Sequence, residues 1–250
     1  MTRRPRYTTR IDGLLVVDKP LHLSSADVVR QVRFAAGNCK TGHAGTLDPL
    51  ATGVVICCLG QATKTVDQLM GMTKVYQAGV DFSAFTTTDD REGQRQEIAT
   101  ADPPTREQLL EKLPPFVGSI AQRPPAYSAI HVGGQRAYKL ARRDQPVDLP
   151  VRTVRIDAID LLDYAWPIAT LRITCGKGTY IRALARDLGA ALGVGGHLAS
   201  LRRTAVGPYT VEQAWQLDRV EQGVTQSDLL LAPSATSPGV QLDPHPAANR

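Results

Sequence analysis

One segment of the chain gathers residue types that covalent or acid–base chemistry requires: His43-Ala44-Gly45-Thr46-Leu47-Asp48-Pro49-Leu50-Ala51-Thr52-Gly53. Gly45, Pro49 and Gly53 impose a tight, irregular backbone, and His43 and Asp48 are the only titrating side chains in it. A rigidly held, ionised carboxylate can serve as a nucleophile or base. The same residues equally suit a rigid turn in which Asp48 accepts from backbone amides. A metal site lacks ligands, because one His and one Asp leave at least one position unfilled. A Ser–His–Asp device lacks its Gly-x-Ser-x-Gly elbow. Neither a Walker loop nor a Gly-x-Gly-x-x-Gly turn offers a cradle for a nucleotide cofactor.

Several elements must position this segment. A strand over 13–17 runs into Asp18-Lys19-Pro20, and a helix follows with Ser24 or Ser25 as its cap, Val28, Val29, Val32 and Ala36 at helical spacing, and Gly37 as its stop. Residues 38–53 read as loop, 54–59 as a buried strand, 63–70 as a helix and 74–82 as a longer strand. The acidic stretch 83–104 reads as an exposed loop. Thr105 with Gln108 forms a capping box for a helix that stops before Pro114-Pro115. Irregular strands over 117–133 and a basic helix over 134–143 come next, then strands at 151–162 and 168–175. In the last of these Leu171, Ile173 and Cys175 alternate with Arg172 and Thr174. Gly176-Lys177-Gly178 starts a helix whose stripe is Ile181, Leu184, Leu188 and Leu192, with Arg182 and Arg186 one turn apart on another face. Strands and helices interleave without a βαβ rhythm. The expected fold is α/β (α+β): a mixed, mainly antiparallel sheet with flanking helices and long loops.

Composition narrows the classes further. With 42% hydrophobic and 21% charged residues over 250 positions, wholesale disorder and a membrane-dominated fold are excluded. The net charge of +5 is segregated. Arg3, Arg4, Arg6 and Arg10 form a basic arm over 1–10; Arg123, Arg136, Lys139, Arg142 and Arg143 fall in 122–143 without an acid; Arg172, Lys177, Arg182 and Arg186 do the same in 172–186. Such blocks suit either a solvated surface or a positive face for a polyanion. Cys39, Cys57, Cys58 and Cys175 lack metal or disulfide-ladder spacing and are read as buried, reduced thiols. No signal peptide or membrane span is visible, so a cytoplasmic protein is expected. The Pro-rich 232–250 reads as a flexible tail.

Residues 42–53 closely resemble the active-site loop of the TruB family of tRNA pseudouridine synthases. Further blocks carry the same resemblance in order over roughly 13–210: Lys19-Pro20; Leu59-Gly60-Gln61-Ala62-Thr63-Lys64; Lys74-Val75-Tyr76; Gln122-Arg123-Pro124-Pro125-Ala126-Tyr127-Ser128-Ala129, continuing through Gly134 and Ala137-Tyr138; Lys177-Gly178-Thr179-Tyr180-Ile181-Arg182; and Leu201-Arg202-Arg203-Thr204. The chain departs from the family at His22, where Gly is usual, and at Ser83, Thr87, His131 and Gly176.

The resemblance implies a pseudouridine synthase fold over 11–231 and an isomerase that converts uridine at position 55 of the tRNA T-loop to pseudouridine by base flipping, with no cofactor and no metal. It implies Asp48, Tyr76 and Arg182 as catalytic residues. Asp48 is the essential carboxylate, Arg182 its guanidinium partner, and Tyr76 stacks on the base. Tyr180, Leu201, Lys19 and His43 would bind substrate, His43 filling the space the flipped base leaves. Arg123, Arg142, Arg143, Arg202 and Arg203, with Lys19, are read as contacts to the RNA backbone. The expected partner is the tRNA T-arm, with no protein partner required, no membrane and a monomeric enzyme. Family members commonly carry a PUA domain, and 232–250 is expected to be too short for one.

Overall fold

Strand β1 (Gly13–Lys19) is buried along its whole length, so its unbroken apolar run marks a strand covered on both faces. Helix α1 (Ser25–Ala35) follows, and its start is the predicted one. The Ser24 hydroxyl accepts from the Asp27 amide while the Asp27 carboxylate accepts from the Ser24 amide. Strands β2 (Thr41–His43) and β3 (Ala51–Leu59), a 3-10 turn over Gly60–Thr65 and helix α2 (Val66–Gly71) complete the first stretch. Then come β4 (Lys74–Asp81), β5 (Ala84–Thr86), β6 (Arg95–Glu97), α3 (Arg106–Lys112), β7 (Gly118–Gln122), β8 (His131–Val132) and β9 (Gln135–Arg136). The last elements are β10 (Arg152–Ala165), β11 (Ile168–Cys175), α4 (Ile181–Leu192), β12 (His197–Val206), β13 (Tyr209–Thr210) and α5 (Leu217–Glu221). The computed structural model describes residues 9–128 and 149–233, with the backbone alone of 131–132 and 135–136.

The chain divides into two compact units, 1–74 with 202–250, and 75–201. In the first, β1 pairs antiparallel with β3 from Gly13 opposite Leu59 to Lys19 opposite Gly53, and β2 pairs with β3 so that His43 faces Cys57. Leu14, Val16, Val54, Ile56, Cys58 and Leu69 pack together on one face. The opposite face carries Leu15 and Val17, and α1 packs on this sheet with Val28 and Val32 buried. In the second unit, β7, β10, β11 and β4 lie side by side, with the β7–β10 and β10–β11 pairs antiparallel. Leu171, Ile173 and Cys175 point inward as their alternation predicts, and the α4 stripe of Ile181, Leu184 and Leu188 packs with them.

Three expectations need correction. The loop expected over 38–53 shortens to 44–50, because β2 and the start of β3 form a hairpin around it. The stretch 83–104 is an exposed loop only in part: β5 and β6 pair within it, and Asp89 and Asp90 between them are only 9% exposed, whereas most of 91–103 is exposed. Residues Gln135–Arg136 pair with β8 as a strand, not as part of a basic helix, and the rest of that expected helix lies outside the described residues. Most of the basic arm and of the Pro-rich tail also lies outside them. The four cysteines are buried and none is in a disulfide; burial pushes the Cys58 thiol up to about 12 and raises Cys57 too. Among the described residues, no helix is long and apolar enough to cross a membrane.

Gly53 is one position in the first unit that tolerates no side chain. Its φ is +105°, and a Cβ there would fall 2.1 Å from the Arg203 carbonyl oxygen. Both the backbone conformation and the contact exclude an L side chain. Gly53→Ala should lower unfolding free energy by about 2–4 kcal/mol, from backbone strain and overpacking together, read by urea denaturation.

Candidate active site

The β2–β3 connection carries Asp48, and several backbone groups around it are tied down from outside. At its entry the Ala44 amide donates to the Ile56 carbonyl (3.0 Å), and at its exit the Ala51 amide donates to the Asp48 carbonyl (3.0 Å). Ser25, buried in the first turn of α1, clamps the residue before Asp48 in both directions. Its hydroxyl accepts from the Leu47 amide (2.8 Å) and donates to the Leu47 carbonyl (3.2 Å). The Pro49 carbonyl accepts from the His22 amide (2.8 Å) and from Lys19 Nζ (3.4 Å). His22 holds this contact at φ +67°, a left-handed conformation that explains why glycine suits the position.

Two cations lie beneath this loop, and both differ from expectation. Lys19 is 0% exposed and donates to the Pro20 and Pro49 carbonyls; Arg203 is 1% exposed and donates to the Val54 (2.7 Å) and Gly45 (3.2 Å) carbonyls. A cation with no exposed surface does not meet a phosphate, so these residues brace the loop instead of contacting the RNA backbone. Burial pushes the Lys19 amine down to about 8; the nearby Asp48 carboxylate opposes that shift and Arg203 adds to it. His43 is held below the usual imidazole range by burial first and by Arg203 second, against a hydrogen bond to Gly45 that raises it. Its Nδ1 is buried without a hydrogen-bond partner among the described residues. Arg202 keeps 39% of its side chain exposed but forms a two-pronged pair with Asp18 (2.7 and 3.1 Å).

The 75–201 unit positions the remaining residues. Tyr76 shares the inward face of β4 with Ala78 and Val80 and is half-buried at the edge of that core; Leu201 packs there as well. Tyr180 occupies the cap position of α4, where no side chain caps the helix. Gln122, 1% exposed, holds it by the backbone: its amide oxygen accepts from the Tyr180 N–H (2.8 Å) and its amide nitrogen donates to the Tyr180 carbonyl (3.1 Å). Arg182 is 7% exposed, so it is not a helix-surface arginine. It donates to the Thr88 (3.1 Å) and Tyr127 (3.0 Å) carbonyls and lies 3.4 Å from the Asp90 carboxylate. Arg123 is exposed and donates to the Leu149 carbonyl (3.4 Å), whereas Arg142 and Arg143 lie outside the described residues.

Within this unit the acid-free basic block 172–186 is largely neutralised by acids from elsewhere in sequence. Arg172 pairs with Asp160 (3.1 Å), Arg182 with Asp90 and Arg186 with Asp89 (2.7 Å). Sequence pattern singles out none of Ser25, Gln122, Asp89 or Asp90. Gln122 opens a family-like block, and the second of two adjacent serines at a helix start hints at a use beyond capping; the acids carry no local signal of burial. Among the described residues no cluster of His, Cys, Asp or Glu could hold a metal ion.

Two family models match in succession: the TruB family pseudouridylate synthase N-terminal domain over residues 33–181, and the tRNA pseudouridylate synthase B C-terminal domain over 182–232. A protein named tRNA pseudouridine synthase B from Ruegeria pomeroyi is 48% identical over 220 residues, covering 87% of this chain and 72% of the relative. One of the same name from Thermobifida fusca is 46% identical over 235 residues, covering 91% and 80%. Among solved structures, a chain from a Cbf5-Nop10-Gar1 complex superposes with a TM-score of 0.65 at 30% identity, over 82% of this chain and 52% of that one. A chain from an H/ACA RNP bound to a substrate RNA containing 2'-deoxyuridine gives 0.62 at 27% identity, over 82% and 51%. This chain therefore spans about half the length of those solved chains.

The Lys19 environment makes a pH-dependent expectation. The amine's pKa is about 8 folded and near 10.4 unfolded, so between those values the unfolded chain binds more protons, and this group makes stability rise with pH across that window. Lysine side-chain NMR should show one amine titrating near pH 8. In Asp48→Asn its midpoint should fall further, since the carboxylate that supports the charged amine is gone. A midpoint that stays put would show that the two groups do not interact.

Proposed function

The chain belongs to the TruB family of pseudouridine synthases, and on that footing we propose that it converts uridine to pseudouridine at position 55 in the tRNA T-loop. The observation that carries this reading is the 43–48% identity, over most of the chain, to relatives named tRNA pseudouridine synthase B. The solved chains, from a Cbf5-Nop10-Gar1 complex and an H/ACA RNP, are more distant, at 27–30%. Recognition of the tRNA T-arm by a cytoplasmic monomer without a protein partner completes the proposal.

The reaction breaks the N1–C1′ bond of uridine, turns the uracil and joins its C5 to C1′, with the C5 proton lost to solvent and N1 gaining one. Atoms and electrons balance without an oxidant, a hydrolytic water or a cofactor. Asp48 supplies the carboxylate. Its utility rests on rigid placement, which the Ser25 clamp and the two buried cations support. The family resemblance assigns Arg182 as its guanidinium partner, a role that charge-assisted hydrogen bonds would serve. Tyr76 stacks on the base, a contact worth about 1–3 kcal/mol in single-stranded complexes. Tyr180 and Leu201 line the base site. A base stacked in a folded loop must be extruded, at a few kcal/mol, before chemistry can begin. His43, held toward its neutral form, takes the vacated space as an uncharged ring that stacks without adding charge.

Purified protein should form pseudouridine in unmodified tRNA transcript without any guide RNA. Asp48→Asn should retain RNA binding while turnover falls about 10³-fold or more. No product from wild type, or near-normal turnover in Asp48→Asn, rejects the reading. A guide requirement would favour action on guide-selected RNA within a ribonucleoprotein.

Binding should also weaken steeply with salt. With log Kobs falling by about 0.9 per phosphate contact against log salt, Arg123→Ala and Arg202→Ala should each lower the slope by about one unit, measured by filter binding. Lys19→Met should leave the slope unchanged, because its amine is buried.

A further inference from the structure

Helix α4 presents Arg182 and Arg186 one turn apart, and each grips the same two stretches of chain. Arg182 holds the turn 88–90 through the Thr88 carbonyl and the Asp90 carboxylate, and the segment 123–127 through the Tyr127 carbonyl. Arg186 holds the same turn through the Asp89 carboxylate (2.7 Å) and the same segment through the Arg123 carbonyl (2.9 Å), with Asp187 at 2.9 Å steadying its Nε. A single arginine would hold each stretch near one point, about which it could pivot. A second rung one turn along the helix fixes direction as well as distance.

Asp89 shows how firmly the second rung is set. It adopts φ +59°, a conformation disfavoured for residues with a side chain though best tolerated by Asn and Asp. Its carboxyl is buried, and burial raises its pKa while the charges of Arg186 and Arg182 oppose the rise. Its carbonyl also accepts from the Leu198 amide (3.0 Å), and the Arg91 amide donates back to the Leu198 carbonyl (3.1 Å), so the turn is stitched to the start of β12. A buried carboxylate in a strained turn persists where its surroundings determine it, and Arg186 is its charged partner.

We propose that Arg186 and Asp89 are a positioning pair that sets where the Arg182 guanidinium stands for the isomerisation. They act through Arg182, the Thr88 and Tyr127 carbonyls and Asp90, not on the substrate. The proposal rests on the pseudouridine synthase reading above, in which Arg182 orients the reacting carboxylate. Misplacing such a group by about 1 Å lowers a rate by as much as about 100-fold while leaving ground-state binding intact.

The test is steady-state kinetics and RNA binding on tRNA transcript for wild type, Arg186→Met, Arg186→Lys, Asp89→Asn and the double variant Asp89→Asn/Arg186→Met. Arg186→Met should lower kcat about tenfold with KM and Kd within about twofold, the split that marks lost transition-state positioning. Arg186→Lys should recover part of that loss by keeping the charge. The double variant should be no slower than Arg186→Met alone, because the two residues share one task. If Arg186→Met fails to fold by circular dichroism, Arg186→Lys and Asp89→Asn read the same split. Unchanged kcat in the folded variants, a loss confined to KM, or fully additive losses would overturn the pair's role. An inactive wild type would instead overturn the functional reading, and this proposal with it.

Discussion

A guanidinium with 1% of its surface exposed has given up its hydration, and Arg203 recovers it from two carbonyls, those of Val54 and Gly45. Those oxygens belong to the strand that leaves the Asp48 loop and to the loop itself. Burying an ion unpaired is expensive by several kcal/mol, so any loop conformation that withdraws these carbonyls is disfavoured by a comparable amount. Lys19 repeats the device from the other side, through the Pro20 and Pro49 carbonyls. The shape of the loop is therefore set largely by the hydrogen-bonding needs of two cations under it. Ser25 and Leu47 then fix its remaining freedom, one bond in each direction.

Satisfying a cation with carbonyl dipoles differs from satisfying it with a carboxylate. A salt bridge cancels charge at a distance, whereas a carbonyl cage meets the donors' directional needs and leaves the net charge in place. The effects of that charge are visible: Arg203 depresses both the Lys19 amine and the His43 imidazole, and the Asp48 carboxylate supports the Lys19 charge. The second unit makes the opposite choice at Arg186, which meets Asp89 and Asp187 directly. Its acid-paired arginines organise segments while adding little net charge, so basic residues counted along a sequence can overstate the positive face they provide.

What could be read from sequence was what is locally determined. The cap of α1 at one of two adjacent serines, the capping box at Thr105, the alternation along β11 and the stripe of α4 each depend on neighbours within a few residues. The burial of Asp89 and Asp90 does not. It depends on arginines more than ninety residues later, and nothing in an acidic, Thr-rich stretch announces that they will arrive. The burial of Lys19 and Arg203 escapes the sequence for a related reason. A cation's default position is the surface, and only the register that sets Lys19 opposite Gly53, with the Arg203 backbone against that glycine, puts both beneath the loop. Family resemblance marked these residues as important without distinguishing bracing from contact.

The same geometry explains why a histidine at position 22 is compatible with the site. The turn after Pro20 must present the His22 amide to the Pro49 carbonyl, which requires a left-handed residue. Glycine meets that requirement without strain, but an unfolded chain with glycine loses more entropy on folding, about 0.5–1 kcal/mol relative to a side-chain-bearing residue. Histidine reverses the balance, accepting left-handed strain of about 1–2 kcal/mol in the folded state for a stiffer unfolded chain. Strain outweighs the entropy gain by about 0.5–1 kcal/mol, so glycine keeps only a modest advantage in stability. What the position must preserve is the amide's direction, because Pro49 follows Asp48 directly and any slack there passes to the carboxylate.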